Sequence, residues 1–315
     1  MDYVRLGNTG IEVSRLCFGG LIIGPLQAGL SVEEGASVIL KAFESGVNFI
    51  DTAELYGTYP HIREAIRRWG GRPVISTKSY AWSAESAEKS LEKARKELDT
   101  DFIDIFMLHE QESKLTLRGH RDALEYYMEQ KAKGRIGAVG VSTHNIEVVE
   151  ASCDMPEIEV IHPIVNIAGI GIGDGNIEDM LAAVERAHSR GKGIYSMKPL
   201  GGGNLLNRYG ESMDFVLGLP FVHSVAVGMQ SVEEVEKNVC LFEGRDAGED
   251  ICAGLKARSR RLHVDYWCQA CGRCVERCGI GAMEIIEGKA RADMKKCVLC
   301  GYCGSVCPQF AIKIC

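Results

Sequence analysis

Short, continuously apolar runs recur along this chain at intervals of roughly thirty residues. They are RLCFGG around residue 17, VNFIDTA around 49, PVISTK around 76, IDIFMLH around 106, IGAVGVS around 139, EVIHPIVN around 162, GIYSMKP around 195 and VHSVAVG around 225. Their hydrophobicity does not alternate strictly. Parallel strands buried on both faces have this character. Between the runs the period changes to that of a helix. SAESAEKSLEKARKELDT puts Leu91, Ala94 and Leu98 on one face, with Ser83, Ser86 and Glu88 at its start. NIEDMLAAVERAHSRGK sets Met180, Leu181, Val184 and Ala187 in register and stops at Gly191. SVEEVEKNVCLF opens with a serine cap and early glutamates. Eight strand–helix units predict an α/β fold, a (β/α)8 TIM barrel. A doubly wound sheet is the alternative. It is disfavoured because no strand leads into a G-x-G-x-x-G turn. GIGIGDG at 169–175 has the wrong spacing and reads as a loop.

The pattern stops near residue 244. The charged stretch from 244 to 261 reads as a helical connector, and a different unit follows. The expected division is residues 1–258 for the barrel and 259–315 for a small C-terminal α+β domain. That second unit holds eight cysteines in two runs, CQACGRCVERC at 268–278 and CVLCGYCGSVCP at 297–308. Each has the spacing C-x2-C-x2-C-x3-C. Three cysteines on one tight loop can wrap three corners of a four-iron cube, and the fourth reaches a second cube. Cys268, Cys271, Cys274 and Cys307 are then one ligand set. Cys297, Cys300, Cys303 and Cys278 are the other. The two runs begin 29 residues apart, and each precedes a short β signal, AMEIIEGKARAD and AIKIC. Gly279 stands where the second run has Pro308. Zinc also takes four thiolates, but its sites use two separated cysteine pairs. The duplicated run favours two 4Fe–4S clusters and resembles the two-cluster bacterial ferredoxins.

Composition narrows the class without changing it. Of the 315 residues, 46% are hydrophobic and 25% charged, which is ordinary for a globular chain. The formal net charge of −7 gives no nucleic-acid signature. Residues 259–315 carry nine basic and five acidic side chains, so the negative charge belongs to the barrel. The five other cysteines, Cys17, Cys153, Cys240, Cys252 and Cys315, are scattered and odd in number, and read as small buried hydrophobes. The start MDYVRLGNTG lacks a secretory pattern, and stretches such as LCFGGLIIGPL are too short to span a bilayer. A reducing cytoplasm and no membrane association are expected.

The barrel's candidate chemistry sits at strand ends. Asp51 closes the second strand, with Tyr56 just beyond it. Lys78 closes the third strand and His109 the fourth. The C-terminal ends of barrel strands are where such folds keep their active sites. A carbonyl accepting a hydride needs a proton donor. A neighbouring ammonium tunes a phenol toward that task by lowering its pKa. Asp51 can hold Lys78 charged, and His109 can orient the carbonyl oxygen.

These residues, with VRLGNTGIEVSRLCFGG, FIDTAELYG, GVSTHN, KPLGGG and VGMQSVEEVEKN, resemble the aldo-keto reductase superfamily across nearly all of residues 1–258. The resemblance implies carbonyl–alcohol interconversion with a nicotinamide across the barrel mouth. Tyr56 would be the general acid/base, Lys78 its pKa partner, Asp51 the ion-pair partner and His109 the substrate-orienting residue. On the cofactor side the family positions map to Ser142, Thr143, His162, Met197, Gly228 and Asn238. Several depart from the family. Thr143 replaces an Asn, His162 a Gln, and Met197 a stacking aromatic. Glu233 and Glu234 occupy the start of the last helix, where a basic residue often pairs the 2′-phosphate of NADP. The pattern disfavours NADP, permits NAD(H), and leaves open a flavin or no tightly held nicotinamide.

The fusion leaves three readings. The barrel is an NAD-linked reductase beside structural clusters. Or an outside ferredoxin or flavoprotein feeds electrons through the clusters. Or the barrel only carries an electron wire, against which the complete tetrad argues. The small apolar loops LIIGPLQAG and GIGIGDG predict a modest, partly hydrophobic pocket for a small carbonyl or alcohol.

Overall fold

The computed structural model describes residues 1–257 and 260–315. The expected boundary at 258/259 lies outside the described residues, as does the Cys252 side chain.

An antiparallel hairpin opens the chain, β1 (Tyr3–Arg5) and β2 (Glu12–Ser14). The eight predicted strands follow as β3 (Leu16–Gly19), β4 (Phe49–Asp51), β5 (Val74–Ser79), β6 (Ile103–Gln111), β7 (Ile136–Thr143), β8 (Val160–Pro163), β9 (Gly193–Met197) and β10 (Ser224–Gly228). They close a barrel in chain order, with β10 pairing β3, and every pairing is parallel. Leu6 and Val13 cluster with Cys17, Phe49, Ile105, Met107, Ala138, Val160, Tyr195 and Ala226. Two residues further along the same strands lie Gly19, Asp51, His109, His162, Met197 and Gly228. Side chains two apart share a face of a strand. The layer above the hydrophobic plug is therefore the chemical layer, and the plug forces its polar groups toward the C-terminal mouth.

Helices cover the outside. The predicted caps form at Ser83, where Ser86 completes a capping box, and at Ser231, which accepts from Glu234 N–H. The connector contains a helix, Gly248–Ala257, and 169–175 is a loop, both as expected.

The C-terminal unit has two small sheets. β12 (Met283–Ile286) and β13 (Lys289–Ala292) form the predicted hairpin. β14 (Ile312–Ile314), the predicted closing strand, pairs antiparallel with β11 (Leu262–Val264). The sequence pattern does not reveal β11, because three residues are too few to show a period. This unit docks on the barrel mouth. Ile314 N–H donates to Gly202 O at 3.0 Å, and Asn204 Nδ2 donates to Ile312 O at 3.0 Å. Phe310 belongs to the barrel's own core cluster. Gly203, at φ +85, cannot carry a side chain here, since a Cβ would lie 2.1 Å from Ile314 O.

Candidate active site

The tetrad converges. Lys78 Nζ donates to Asp51 Oδ1 at 2.6 Å, to Asp51 Oδ2 at 2.8 Å and to Thr52 O at 2.8 Å. Tyr195 OH donates to Asp51 Oδ1 at 2.8 Å and shares a 2.8 Å bond with Ser76 Oγ. Burial works against the Asp51 carboxylate, but Lys78, His162 and these hydrogen bonds outweigh it and hold the acid ionised below its usual range. Tyr195 was not a sequence candidate. Its only signal is a polar tip on an aromatic at a lumen position of β9.

Tyr56 follows β4 on a short 3-10 turn, and its OH lies 3.5 Å from His109 Nε2. Lys78 Nζ lies 5.2 Å from the Tyr56 ring centroid. The expected lowering of the phenol pKa by Lys78 does not occur. Burial, then the Asp51 and Glu110 charges, push Tyr56 well above its usual value. The reason is local. Lys78 Nζ spends its N–H groups on the two Asp51 oxygens and Thr52 O, so it stands beside the Tyr56 ring without donating to the phenol oxygen. His109 is held by burial at about 3 and is therefore neutral. Its ring stacks on Tyr80 at 4.5 Å, and its Nδ1 has no protein partner. A neutral imidazole beside a protonated phenol is a pair of donors for one developing oxyanion.

A cavity of about 290 Å³ opens at this point. Asp51, Tyr56, His162, Met197, Gly228 and Asn238 all line it. Ser142 and Thr143 do not. Ser142 Oγ accepts Glu110 N–H at 2.8 Å, and Thr143 Oγ1 donates to Gln111 O at 2.7 Å, so both hydroxyls serve the neighbouring strand's backbone. His162 Nδ1 bonds Tyr195 O at 2.7 Å, and its Nε2 is 3.7 Å from Asp51 Oδ1. At the far end, Glu234 Oε2 caps Gln230 N–H and Oε1 pairs with Arg260 at 2.6 Å. Lys237 and Arg260 line the same wall, so this end holds two cations beside Glu234. The sequence reading weighed only the glutamates there, because Arg260 lies outside the barrel pattern.

The cysteine loops are structurally duplicated. Ala270 and Leu299 have φ +52 and +54, Gly272 and Gly301 both +81, and Gly281 and Phe310 +61 and +48. Each pair is offset by the 29 residues that separate the two runs. Left-handed backbone at three non-glycine residues is costly and marks a loop shaped for a ligand. Cys268, Cys271, Cys274 and Cys307 line one small cavity. Burial and the nearby Cys297 and Cys300 push Cys303 up to about 11. Backbone N–H groups of Ala290, Ala282 and Ala311 point at the sulfurs of Cys268, Cys278 and Cys307 at 3.5, 3.2 and 3.3 Å. Such donors stabilise cluster thiolates. Thiols set around a cavity suit a cube. Cys17, Cys153, Cys240 and Cys315 are buried and free.

With this geometry, the aldo/keto reductase family profile matches residues 15–217, and the chain belongs to that family. A 4Fe–4S binding domain profile matches residues 290–313. The protein is thus an oxidoreductase of aldo-keto reductase type that carries an iron–sulfur domain. L-galactose dehydrogenase of Arabidopsis thaliana is 23% identical over 277 residues, covering 74% of this chain and 86% of its own. An aldo-keto reductase of Mycobacterium avium is 28% identical over 267 residues, covering 77% and 88%. The aldo-keto reductase AKR11C1 of Bacillus halodurans, in its holo form, superposes with a TM-score of 0.64 at 19% identity, covering 81% and 95%. No helix among the described residues is long and apolar enough to cross a membrane.

Proposed function

We propose that this protein interconverts a small carbonyl and its alcohol, with Tyr56 as general acid/base, and that electrons pass through two 4Fe–4S clusters held by residues 259–315. One observation carries the reading. The cavity that reaches Tyr56 is walled on its other side by Lys313 and Ile314 of the iron–sulfur unit. A substrate carbonyl oxygen between Tyr56 OH and His109 Nε2 meets two neutral donors. In reduction Tyr56 gives its proton to the developing alkoxide. Its raised pKa keeps it protonated, so reduction is independent of pH through the neutral range, whereas alcohol oxidation accelerates as pH rises. Lys78 and Asp51 fix the floor beneath it. His162, Met197, Gly228 and Asn238 are the residues placed to hold a nicotinamide. Bound there, that group would exchange a hydride with the carbonyl carbon, and the two clusters, taking or returning one electron each, would exchange the same electron pair with it, with one proton released or taken up.

A second reading is favoured by the commitment of Ser142 and Thr143 to backbone atoms. Without their hydroxyls a nicotinamide is held loosely or not at all. An external ferredoxin or flavoprotein in the cytoplasm then feeds the clusters.

Anaerobic titration separates the two. NADH bleaches the cluster absorbance under the first reading, and only reduced ferredoxin or dithionite does so under the second. Tyr56→Phe is expected to lower carbonyl turnover by about 10²–10⁴-fold with both clusters intact. Unchanged turnover in that variant ends the tetrad assignment.

A further inference from the structure

The main cavity is cationic in a chain of net charge −7. Lys78 is neutralised by Asp51, and Arg260 by Glu234. Lys237 lies over the Tyr209 ring at the far end, while Lys198 and Lys313 both approach the Phe310 ring. Lys198 Nζ lies 4.9 Å and Lys313 Nζ 3.3 Å from the Phe310 centroid. Both residues line the cavity. Lys198 comes from the turn after β9, and Lys313 comes from β14 of the iron–sulfur unit.

Each ammonium has a carboxylate near it but spends its hydrogen bond on a neutral group. Lys198 Nζ is bonded at 2.8 Å to His144 Nε2, a neutral partner, because burial and then the Lys198 charge hold that imidazole far below its usual pKa. Glu110 lies 3.8 Å from His144 Nε2, shares its carboxylate with Tyr80 OH, and is the charge that most offsets burial at Lys198. Lys313 Nζ donates to Phe310 O and stands 3.7 Å from Asp265 Oδ2, too long for a hydrogen bond. Asp265 Oδ1 is taken by His263. The backbone at Lys198 is also strained, with φ +58 on a residue that is not glycine. Gly202, at φ +65, is bare because a Cβ would sit 2.7 Å from Lys313 Cδ. The loop is thus shaped to admit the Lys313 stem. Burial and the Lys198 charge push Lys313 down to about 7, and Asp265 and Glu110 offset only part of that repulsion, so an anion placed between the two lysines would favour the charged form of both more than it would in water.

We propose that Lys198 and Lys313 form a composite anion site, half from the barrel and half from the iron–sulfur unit, that binds a carboxylate or phosphate of the ligand reacting at Tyr56. This rests on the cavity being the reactive one. The substrate class it names is an anionic carbonyl compound, and the site exists only while the two units are docked. Lys198 and Lys313 are binding residues; neither is asked to transfer a proton.

The test is binding to the anaerobically purified, cluster-loaded protein, read by calorimetry without turnover. The probes are phenylglyoxylate, its uncharged methyl ester, and inorganic pyrophosphate. Lys198→Met and Lys313→Met are each expected to weaken phenylglyoxylate at least about tenfold, a common cost of removing a charge-assisted bond, and to leave the ester unchanged. Lys313→Arg should restore most of the affinity. If pyrophosphate weakens and phenylglyoxylate does not, the anion site stands and its occupant is a dinucleotide phosphate. If all three probes bind the variants as they bind the parent, while only thermal stability falls, the lysines are interface counter-ions and the proposal is overturned. On a Tyr56→Phe background, which loses turnover, the affinity differences caused by Lys198→Met and Lys313→Met should persist. A failure of the catalytic reading therefore shows in turnover, and a failure of the anion site shows in these affinities.

Discussion

The barrel and the iron–sulfur unit hold their functional side chains by opposite means. In the barrel, Asp51, Lys78 and Tyr195 stand on strands whose lower halves form a continuous apolar plug. Their geometry is fixed by packing before any ligand arrives. In the C-terminal unit the buried core is Cys274, Met283, Ala290, Cys303 and Ile312, and two of these are themselves ligands by spacing. A core of that size cannot offset the entropy of ordering more than fifty residues. The metal-binding groups must therefore be part of the folding energy there, whereas in the barrel the catalytic groups are a cost that the core absorbs.

The largest expected effect breaks this comparison directly. Anaerobic removal of iron by a chelator should unfold residues 260–315 and leave the barrel standing, because ligand binding and folding are one equilibrium in small metal domains. Amide hydrogen exchange reads it. Protection should vanish in β11 to β14 and persist in β5, β6 and β7. Persistent protection in the apo tail would mean that the unit is held by docking on Gly202 and Asn204 alone. On the same logic, and on the proposed pair of clusters, Cys303→Ala should lose roughly half of the iron. Cys240→Ala, a buried barrel thiol, should lose none.

A smaller effect sharpens the barrel's side of the contrast. Asp51→Asn leaves the Lys78 ammonium buried at 1% exposure without its anion. Breaking a buried pair by removing one partner costs about 3–5 kcal/mol. The barrel transition in urea should move to lower denaturant by that amount, with iron content unchanged. Asp51→Asn with Lys78→Met removes both charges and should recover much of the loss. If the double variant is no better than the single one, the carboxylate acts mainly through Tyr195.

What was legible in the sequence follows the same division. The eight strands announce themselves because each is buried on both faces, and Asp51, Lys78 and His109 fall at their ends by simple counting. The cysteine spacing is legible because a cube imposes fixed intervals on the chain. The cofactor wall is not, since it depends on which way side chains turn after the strand ends. Ser142 and Thr143 have the right chemistry and position, yet their hydroxyls close hydrogen bonds to Glu110 and Gln111. The raised pKa of Tyr56 comes from its burial and then from the Asp51 and Glu110 charges, which no spacing encodes. Lys313 is the clearest case. In AIKIC it reads as a polar residue on the solvent face of a small strand, and only the docking of β14 against the 201–204 loop makes that face internal.

The smallest effect is the share of a single imidazole among three at the mouth, two buried and His144 half-buried. His109 and His162 are held by burial at about 3 and about 4, and His144 is lowered as well. Each stays neutral in the folded protein while its unfolded counterpart binds a proton below about pH 6.5. The unfolded state then holds more protons, so stability falls as pH drops through that window, by about 1.4 kcal/mol per unit for each group. Urea unfolding of the cluster-loaded protein at pH 7, 6 and 5 should show this slope in the barrel transition. His162→Gln keeps a hydrogen-bonding side chain near Tyr195 and removes the titration, so it should flatten the profile by one group's share. A profile equally steep in His162→Gln would mean that His162 is already charged when folded. Its 3.7 Å contact with Asp51 would then be an ion pair, and the floor of the active site would carry two cations on one carboxylate.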